Sequence, residues 1–357
     1  MNDTNNKLTF ALIGCGNIAK KHLACIQGLN NAELAGVCDI DLESLKAFSK
    51  DNDIPGFSSI DMLLAEVNPD VIVVLTPSGS HASIVKNLAK HKKHIIVEKP
   101  ISLTLSDAYE MQKECDRHGS TLSVVKQNRF NAPIRLARKL HDAGGLGSLF
   151  LGTVRVRWSR DQDYYDSAAW RGTWENDGGV ICNQAIHHID MLQWFLGDVV
   201  SVFSSNINAM LDIEAEDTSA SVIKFSSGAL GIIEASTAIR PKDLEGSISL
   251  LGNKGSIEVG GFAMNEITKL ELEDESQIDQ SDKMLSNPSD FAYAHIEFYK
   301  DYISKILAEK KPTIDAEEAI KSLRIVHAIY KSHNENREVF LAEENLQTKL
   351  GDRKSVV

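Results

Sequence analysis

The chain has few of the residues that build disulfide frameworks, and no long apolar run. Its five cysteines are scattered, odd in number and without a C-x-x-C pair, which predicts reduced, buried thiols and no zinc site. The first six residues are polar, so neither a secretory signal nor a membrane span is expected. Positive charge is in deficit, with 38 Lys and Arg against 50 Asp and Glu, and the basic residues are dispersed. We therefore expect a cytoplasmic protein without a nucleic-acid or membrane partner.

Strand and helix patterns alternate regularly through the first third of the chain. Continuous Val and Ile runs such as Val71–Leu75 predict strands covered on both faces, as in a doubly wound parallel sheet. Beyond residue 128, longer strands with alternating apolar residues predict a mostly antiparallel sheet with one open face. We predict an α/β Rossmann-type domain over residues 1–127 and an α+β domain over 128–357. A last helix, at about 316–331, is a candidate to pack back on the first domain, and the acidic segment 264–287 is predicted to be a mobile excursion.

A glycine-rich turn follows the first predicted strand and precedes a predicted helix. Its sequence, Gly14–Ala19 (GCGNIA), is the G-x-G-x-x-A form of the dinucleotide fingerprint. The residues expected to bind a pyrophosphate are Gly14, Cys15, Gly16, Asn17 and Ile18. A second strand ends at Asp39, near the spacing of the acid that binds the adenosine ribose, and no Arg follows it directly. A carboxylate there favours NAD over NADP, although the glycines alone also suit an ordinary turn.

Two further segments end neighbouring strands and are expected at one edge of the sheet. Thr76–His81 (TPSGSH) follows the most apolar strand, and Glu98–Pro100 (EKP) follows the next. Because ligands lie outside the carboxyl ends of such strands, Lys99 is a candidate proton acceptor. Burial and a positive nicotinamide ring would both disfavour its charged form, whereas the alternative is a simple pair with Glu98. The side chains expected around the nicotinamide are Thr76, Ser78, His81, Glu98 and Gln127.

These three motifs, in this order and spacing, resemble the Gfo/Idh/MocA family of nicotinamide-dependent sugar oxidoreductases. The resemblance covers essentially the whole chain and implies NAD as cofactor, a catalytic or substrate-orienting role for Lys99, and a tetramer formed through the open sheet. The family's second active-site element is a helix that carries an Asp and, four residues later, a His. The segment Gly178–Asp190 matches it with His187 in the His position, but Asn183 stands where the Asp usually is.

An amide cannot accept a proton, so Asn183 cannot act as the family's carboxylate does. Proton removal then falls on Lys99 and His187, with Asn183 as a hydrogen-bond partner of sugar hydroxyls. A metal ion is not expected, because His187 and His188 diverge by about 100° around a helix and cannot both bind one ion. We expect His188 to be a structural histidine whose hydrogen bonds are satisfied.

Further segments resemble the subgroup that oxidises UDP-N-acetyl-glucosaminuronic acid at C3 in bacterial surface-polysaccharide (lipopolysaccharide, O-antigen) pathways. These segments are Lys126–Asn131, Trp170–Glu175 and Asn183–Ala185. A UDP-uronate carries a diphosphate and a carboxylate, so it needs Arg and amide donors. The predicted substrate-binding residues are Lys99, Asn128, Arg129, Asn131, Trp170, Arg171, Asn183, Gln184 and His187. Each arginine has a surface position as its alternative reading.

Two other functions stay open at this point. The same scaffold suits a dehydrogenase or reductase of another sugar or of a polyol such as inositol. A nucleotide-binding sensor that has lost catalysis is the second alternative, and the Asn183 departure favours it. A sensor needs neither Lys99 nor His187, however, and both are present, so the enzyme interpretation is preferred.

Overall fold

The computed structural model describes residues 7–288 and 292–352. Within these, the chain divides into two compact units. The first unit comprises residues 7–102, 106–127 and 292–319, and the second comprises 103–105, 128–288 and 320–352. One division between the units falls after residue 127, and residues 292–319 belong to the first unit.

Helices and strands alternate up to residue 127, as the sequence predicts. In chain order the elements are β1 (Leu8–Ile13), α1 (Asn17–Gln27), β2 (Ala32–Cys38), α2 (Leu42–Asn52), β3 (Gly56–Phe57), α3 (Ile60–Glu66), β4 (Val71–Val74), α4 (His81–Ala89), β5 (His94–Val97), α5 (Leu105–His118) and β6 (Leu122–Val124). The six strands form one parallel sheet in the order β3-β2-β1-β4-β5-β6. The predicted doubly wound sheet is confirmed.

Strand order in this sheet reverses between β1 and β4, which lie side by side. Such a switch point opens a crevice at the carboxyl ends of the strands, where α/β proteins bind ligands. All four residues of β4 are buried, as a strand covered on both faces requires. The glycine-rich turn after β1 and the Thr76–His81 segment after β4 therefore meet at this crevice.

The remaining elements include the strands of an eight-stranded sheet, its flanking helices, and α9, which belongs to the first unit. In chain order they are α6 (Ala132–Asp142), β7 (Leu149–Arg157), α7 (Gln162–Asp166), α8 (Ile186–Leu196), β8 (Val199–Ile207), β9 (Thr218–Phe225), β10 (Leu230–Ser236), β11 (Glu245–Gly252), β12 (Gly255–Gly260), β13 (Glu266–Leu272), α9 (Tyr293–Leu307), α10 (Ala316–Glu335) and β14 (Val339–Phe340). The sheet order is β13-β12-β11-β7-β10-β9-β8-β14. Within this eight-stranded sheet, β10–β7 is the one parallel pair among the described strands, so the predicted mostly antiparallel sheet is confirmed.

At β8 to β10, apolar side chains lie on the exposed face of this sheet, and some polar side chains lie on its buried face. Phe203, Val222 and Ile232 are paired across the three strands, and they are 48%, 46% and 39% exposed. On the inner face, Ser204 and Ser221 are buried and joined by a hydrogen bond of 2.8 Å. The apolar row thus lies on the open face of the sheet, within the described residues.

The segment 264–287 differs from its prediction. Residues 266–272 form β13, which pairs with β12, and two short 3-10 turns follow. The prediction of a mobile excursion is wrong for the strand, because Ile267, Leu270 and Leu272 alternate with polar residues and are buried. The predicted start of α9 at Phe291 falls outside the described residues. No helix in the described part of the chain has the length and apolar content to cross a membrane.

Candidate active site

The fingerprint turn after β1 leaves room for a ligand at one of its glycines and not at the other. Gly14 has φ +104°, and a Cβ on it would lie 3.0 Å from the backbone of Leu75. A Cβ on Gly16 would meet no described atom within 4 Å. No side chain caps the first turn of α1, so its N–H groups are available to an anion. These features fit the pyrophosphate of a dinucleotide.

Asp39, at the end of β2, is held against the same turn. Its Oδ2 accepts the backbone N–H of Cys15 at 2.7 Å, and its Oδ1 accepts that of Asp41 at 2.9 Å. Two such hydrogen bonds fix the plane of the carboxylate, as binding of a ribose diol requires. The next residue, Ile40, is 93% exposed and presents an apolar surface beside Asp39. This exposed apolar surface was not predicted from the sequence.

The segments after β4 and β5 come together as predicted. The His81 ring lies between two backbone carbonyls, with Nε2 at 2.9 Å from the oxygen of Thr76 and Nδ1 at 3.0 Å from that of Pro100. Burial lowers the pKa of this imidazole. A neutral imidazole carries one N–H and donates to one of these two carbonyls, so the ring lies between the segments that follow β4 and β5, and the cofactor contact of His81 stays a prediction. Ser78, in the turn between β4 and α4, is also buried.

Lys99 is half-buried and directly follows the buried Glu98. Its backbone N–H donates to Oε2 of Glu98 at 3.0 Å, while Oε1 of that carboxylate lies 3.0 Å from Nε2 of His22. Glu98 thus makes hydrogen bonds within the protein, and its cofactor contact stays a prediction. His22, on α1, was missed because nothing in its local sequence points to Glu98.

In the second unit, Asn183 and Gln184 lie in the turn before α8, and His187 lies in the first turn of that helix. The Asn183 side-chain amide donates to Oδ1 of Asp177, a carboxylate that also accepts the Gly172 N–H at 2.7 Å. Gln184 is buried, and its Oε1 has no hydrogen-bond partner among the described residues. A buried, unsatisfied amide oxygen is an open position for a ligand donor. His187 is buried in the first turn of α8.

Glu216 accepts hydrogen bonds from the turn that precedes α8, and no role for it was predicted from the sequence. Its Oε1 accepts the Ile181 N–H at 2.9 Å and the Tyr330 hydroxyl at 3.1 Å. Its backbone oxygen accepts the Val180 N–H at 2.9 Å. Burial raises the pKa of the Glu216 carboxyl to about 7. The turn that carries Asn183 is therefore anchored on a buried acid.

Arg129 and Asn131, both predicted to bind substrate, make contacts inside the second unit. Nε and Nη2 of Arg129 each lie 2.8 Å from an oxygen of Asp190, and the guanidinium stacks on Trp194. Asn131 donates to the carbonyls of residues 263 and 264 and accepts from Asn287. These contacts order the polypeptide around α6 and α8. Asn128, in the short 3-10 turn before them, is also buried.

Arg171 lies between two aromatic rings in the loop that precedes α8. Its guanidinium carbon is 4.3 Å from the Tyr164 centroid and 4.5 Å from the Trp170 centroid. Nη1 donates to the Tyr164 hydroxyl at 2.7 Å, whereas Nε is buried without a hydrogen-bond partner among the described residues. Stacking keeps a cation in a fixed plane, so Arg171 is preorganised to bind an anion.

His188 does not behave as expected. It is fully buried and packs edge-on to Trp158, but neither ring nitrogen has a hydrogen-bond partner among the described residues. Burial lowers the pKa of its imidazole to about 3. The prediction of a satisfied structural histidine is wrong, because the helix face on which it lies packs against apolar and aromatic side chains.

Similarity to known proteins extends over almost the whole chain. The profile of the oxidoreductase family's NAD-binding Rossmann fold (Gfo/Idh/MocA) matches residues 8–126, and that of its C-terminal alpha/beta domain matches 138–341. Myo-inositol 2-dehydrogenase of Thermotoga maritima is 27% identical over 349 residues, 94% of this chain and 99% of the relative.

Two crystal structures are more similar still. The WlbA dehydrogenase from Bordetella pertussis, in complex with NADH and UDP-GlcNAcA, is 36% identical, with a TM-score of 0.89 and coverage of 96% of this chain and 100% of that one. The WlbA dehydrogenase from Chromobacterium violaceum, in the same kind of complex, is 37% identical, with a TM-score of 0.88 and coverage of 96% and 98%.

Proposed function

Because the chain belongs to the Gfo/Idh/MocA family of NAD-binding oxidoreductases, we propose that it oxidises the C3 hydroxyl of a UDP-2-acetamido-2-deoxy-glucuronate to the 3-keto sugar. The protein is an NAD-dependent sugar dehydrogenase of this family, and the proposal adds the sugar nucleotide and the carbon. The observation that carries it is the similarity, at 36% and 37% identity, to two dehydrogenases crystallised with UDP-GlcNAcA. A place in bacterial surface-polysaccharide synthesis, in the cytoplasm, belongs to the same proposal.

The cofactor residues are those of the fingerprint turn and the β2 end. Residues 14–18 would bind the pyrophosphate and Asp39 the adenosine ribose, since Gly16 leaves open space and Asp39 is already oriented. Bound NAD+ supplies the hydride acceptor for C3. Thr76, Ser78 and Gln127 remain predicted neighbours of the nicotinamide, and His81 and Glu98 hold the segments on which it would rest.

Lys99 is assigned as the acceptor of the C3 hydroxyl proton, with help from His187. The lysine amine would take the O–H proton, and bound NAD+ would supply the acceptor for the C3 hydride, so charge and electrons would balance. Asn183 cannot take the proton. Since its amide nitrogen donates to Asp177, its carbonyl oxygen is the atom that we assign to a sugar hydroxyl.

The anionic groups of the substrate are assigned to Arg171, whose buried Nε–H has no partner among the described residues. The buried Oε1 of Gln184, also without a partner among them, accepts hydrogen bonds and is assigned to a hydroxyl or amide N–H of the substrate. Trp170 stacks on Arg171 and would cover the ligand. Arg129, Asn128 and Asn131 are proposed to shape this region, since Arg129 and Asn131 already make contacts within the protein.

We further propose that the chain assembles through the open face of the eight-stranded sheet, as a tetramer. Support comes from the row Phe203, Val222 and Ile232, because apolar side chains in register on an open sheet face are typical of a subunit interface.

The second candidate is a polyol dehydrogenase, which the 27% identity to myo-inositol 2-dehydrogenase favours. The test is mass spectrometry of UDP-N-acetyl-glucosaminuronic acid after incubation with the protein, NAD+ and a 2-oxo acid, with myo-inositol in a parallel reaction. We expect the sugar nucleotide to lose two hydrogens, and Lys99→Met to abolish this loss. Unchanged sugar nucleotide with oxidised inositol would establish the second candidate instead. Turnover of neither, with NAD bound, would overturn both candidates and leave another sugar or polyol as the substrate class to be sought.

A further inference from the structure

A buried group of four side chains lies next to Lys99 in the first unit. His22 belongs to α1, Glu98 follows β5, and His295 and Tyr299 belong to α9. All four are buried. The ligand-type atoms of His22, Glu98 and His295 lie within 4.8 Å of one another. A cluster of this kind has two physical interpretations, a metal centre or a hydrogen-bond network.

The geometry favours the network. Nε2 of His22 faces Oε1 of Glu98 at 3.0 Å, and Nδ1 of the same ring faces the Tyr299 hydroxyl at 2.7 Å. Both ring nitrogens are therefore engaged at hydrogen-bond distance. A metal ion bound to His22 would have to replace one of these two contacts.

Glu98 uses its two oxygens for different purposes. Oε1 faces His22, whereas Oε2 accepts the backbone N–H of Lys99 at 3.0 Å. A carboxylate is planar and rigid, so whatever fixes Oε1 also fixes Oε2 and, through it, the start of the Lys99 main chain. Helix α1 begins within the fingerprint, at Asn17. It is thereby connected to the Lys99 backbone by two consecutive hydrogen bonds, between His22 and Glu98 and between Glu98 and the Lys99 N–H.

The carboxylate in this network stays charged although it is buried. Burial by itself would raise the pKa of Glu98, but the hydrogen bond and charge of His22, with the charges of Lys99 and His295, hold it at about 2. The titratable groups that interact electrostatically with Glu98 are His22 and Lys21 of α1, His81 of α4, Lys99, and His295 and Tyr299 of α9. A permanent negative charge therefore lies next to Lys99.

We propose that His22 and Glu98 are positioning residues that set the place of Lys99 and keep a negative charge beside it. The proposal rests on the assignment of Lys99 as proton acceptor. His22 orients the Glu98 carboxylate from α1, Tyr299 orients His22, and the carboxylate holds the Lys99 backbone.

The variant that tests this is Glu98→Gln, which keeps the shape and one accepting oxygen but removes the charge. The pH dependence of Lys99 acylation by acetic anhydride, read by mass spectrometry, is the first measurement because it needs no substrate. We expect the midpoint to move down by about one pH unit. The acidic limb of the kcat profile, where activity rises as Lys99 loses its proton, should move in the same direction, with kcat at least tenfold lower and NAD affinity within about threefold of the parent.

Two further variants keep the test decisive. Tyr299→Phe removes only the outer contact of His22, and a smaller shift in the same direction is expected. His94→Asn alters a half-buried histidine of the same unit outside the network, and no shift is expected.

An unmoved acylation midpoint in Glu98→Gln would overturn the proposal, as would weaker NAD binding with an unchanged pH profile, which indicates a direct cofactor contact. Stoichiometric zinc in the purified parent, lost in His22→Gln, would establish the metal centre instead. Because acylation is read without substrate, an enzyme inactive on the UDP-sugar leaves this test intact and refutes only the proposed reaction.

Discussion

Asp177 accepts a hydrogen bond from the side-chain amide of Asn183, so the carboxylate that position 183 lacks lies six residues earlier in the chain. Asp177 is buried, and its other oxygen binds the Gly172 N–H. The pair has a defined polarity, since a carboxylate only accepts. The amide nitrogen of Asn183 is thereby committed to Asp177.

Replacing Asp177 by Asn should therefore weaken substrate binding more than turnover. An amide at 177 also offers donors, so the Asn183 amide loses its fixed orientation, and we expect KM for the sugar nucleotide to rise about tenfold, or about 1.4 kcal/mol. Steady-state kinetics measure this, with the exposed Asp198→Asn as control. The exchange Asp177→Asn with Asn183→Asp restores a carboxylate–amide pair and should recover part of the loss. A KM equal to that of the parent in Asp177→Asn would refute the orienting role.

The two fingerprint glycines should fail in different ways when changed to Ala. In Gly14→Ala the positive φ and the 3.0 Å approach to Leu75 should cost about 1–3 kcal/mol of unfolding free energy. In Gly16→Ala the added methyl meets no described atom of the protein, so stability should be unchanged, while NAD affinity falls at least tenfold because the methyl blocks the close approach of the pyrophosphate. Denaturant unfolding and calorimetric titration with NAD separate the two effects. Parent-like NAD binding by Gly16→Ala would place the pyrophosphate elsewhere.

His188 should make the protein sensitive to mild acid. The pKa of its imidazole is about 3 in the folded chain against an ordinary value of 6.5, so below pH 6.5 the unfolded chain binds a proton that the folded chain does not. Its contribution to the free energy of unfolding is constant above that pH and decreases by about 2 kcal/mol between pH 7 and pH 5. His327, with a pKa near 4, acts in the same direction, and Glu216, with a pKa near 7, acts in the opposite one.

Comparison of variants isolates the His188 contribution, because His327 and Glu216 are unchanged in all of them. Urea unfolding at pH 7 and pH 5 should show a smaller acid loss in His188→Leu than in the parent. The exposed His91→Gln should match the parent. An acid loss in His188→Leu as large as in the parent would mean that the ring is protonated in the folded state.

The open sheet face should be sensitive to one charge. Val222 pairs with Phe203 on one side and Ile232 on the other, so Val222→Arg introduces a charge at the centre of the apolar row. We expect smaller assemblies in sedimentation velocity, whereas Met62→Arg, at an exposed apolar position of α3, should sediment like the parent. Unchanged sedimentation of Val222→Arg would exclude this face as the interface.

Local sequence patterns were sufficient to predict the bounds of a strand or helix where its apolar residues follow one regular pattern. The sequence predicts a strand at His94–Val97 and a helix from about Leu105 to His118, and β5 and α5 have these bounds, since an uninterrupted apolar run and an amphipathic helix both have clear ends. Strand β8 was missed because its buried positions include Ser201, Ser204 and Asn206, the reverse of the pattern that predicts a strand.

The site shows the same division. Motif spacing predicts site roles for Gly14, Asp39, Lys99 and His187, which belong to short local signatures. It missed His22 and Glu216, whose partners lie 76 and 35 positions away. Contacts of that kind depend on how strands and helices are brought together, and no pattern within a window of the sequence records them.

The hydrogen bond from the Cys15 N–H to Asp39 restricts how this chain can change its cofactor. If Asp39 binds the adenosine ribose as proposed, admitting a 2′-phosphate would require removal of its charge, yet the same side chain accepts the hydrogen bond from Cys15 in the fingerprint turn. A single mutation toward NADP would therefore weaken binding of the pyrophosphate that both nucleotides share, before it improves binding of the 2′-phosphate. Evolution, or an engineer, has to supply a substitute acceptor for Cys15 together with the new cation, which makes NAD preference in this protein resistant to one-step reversal.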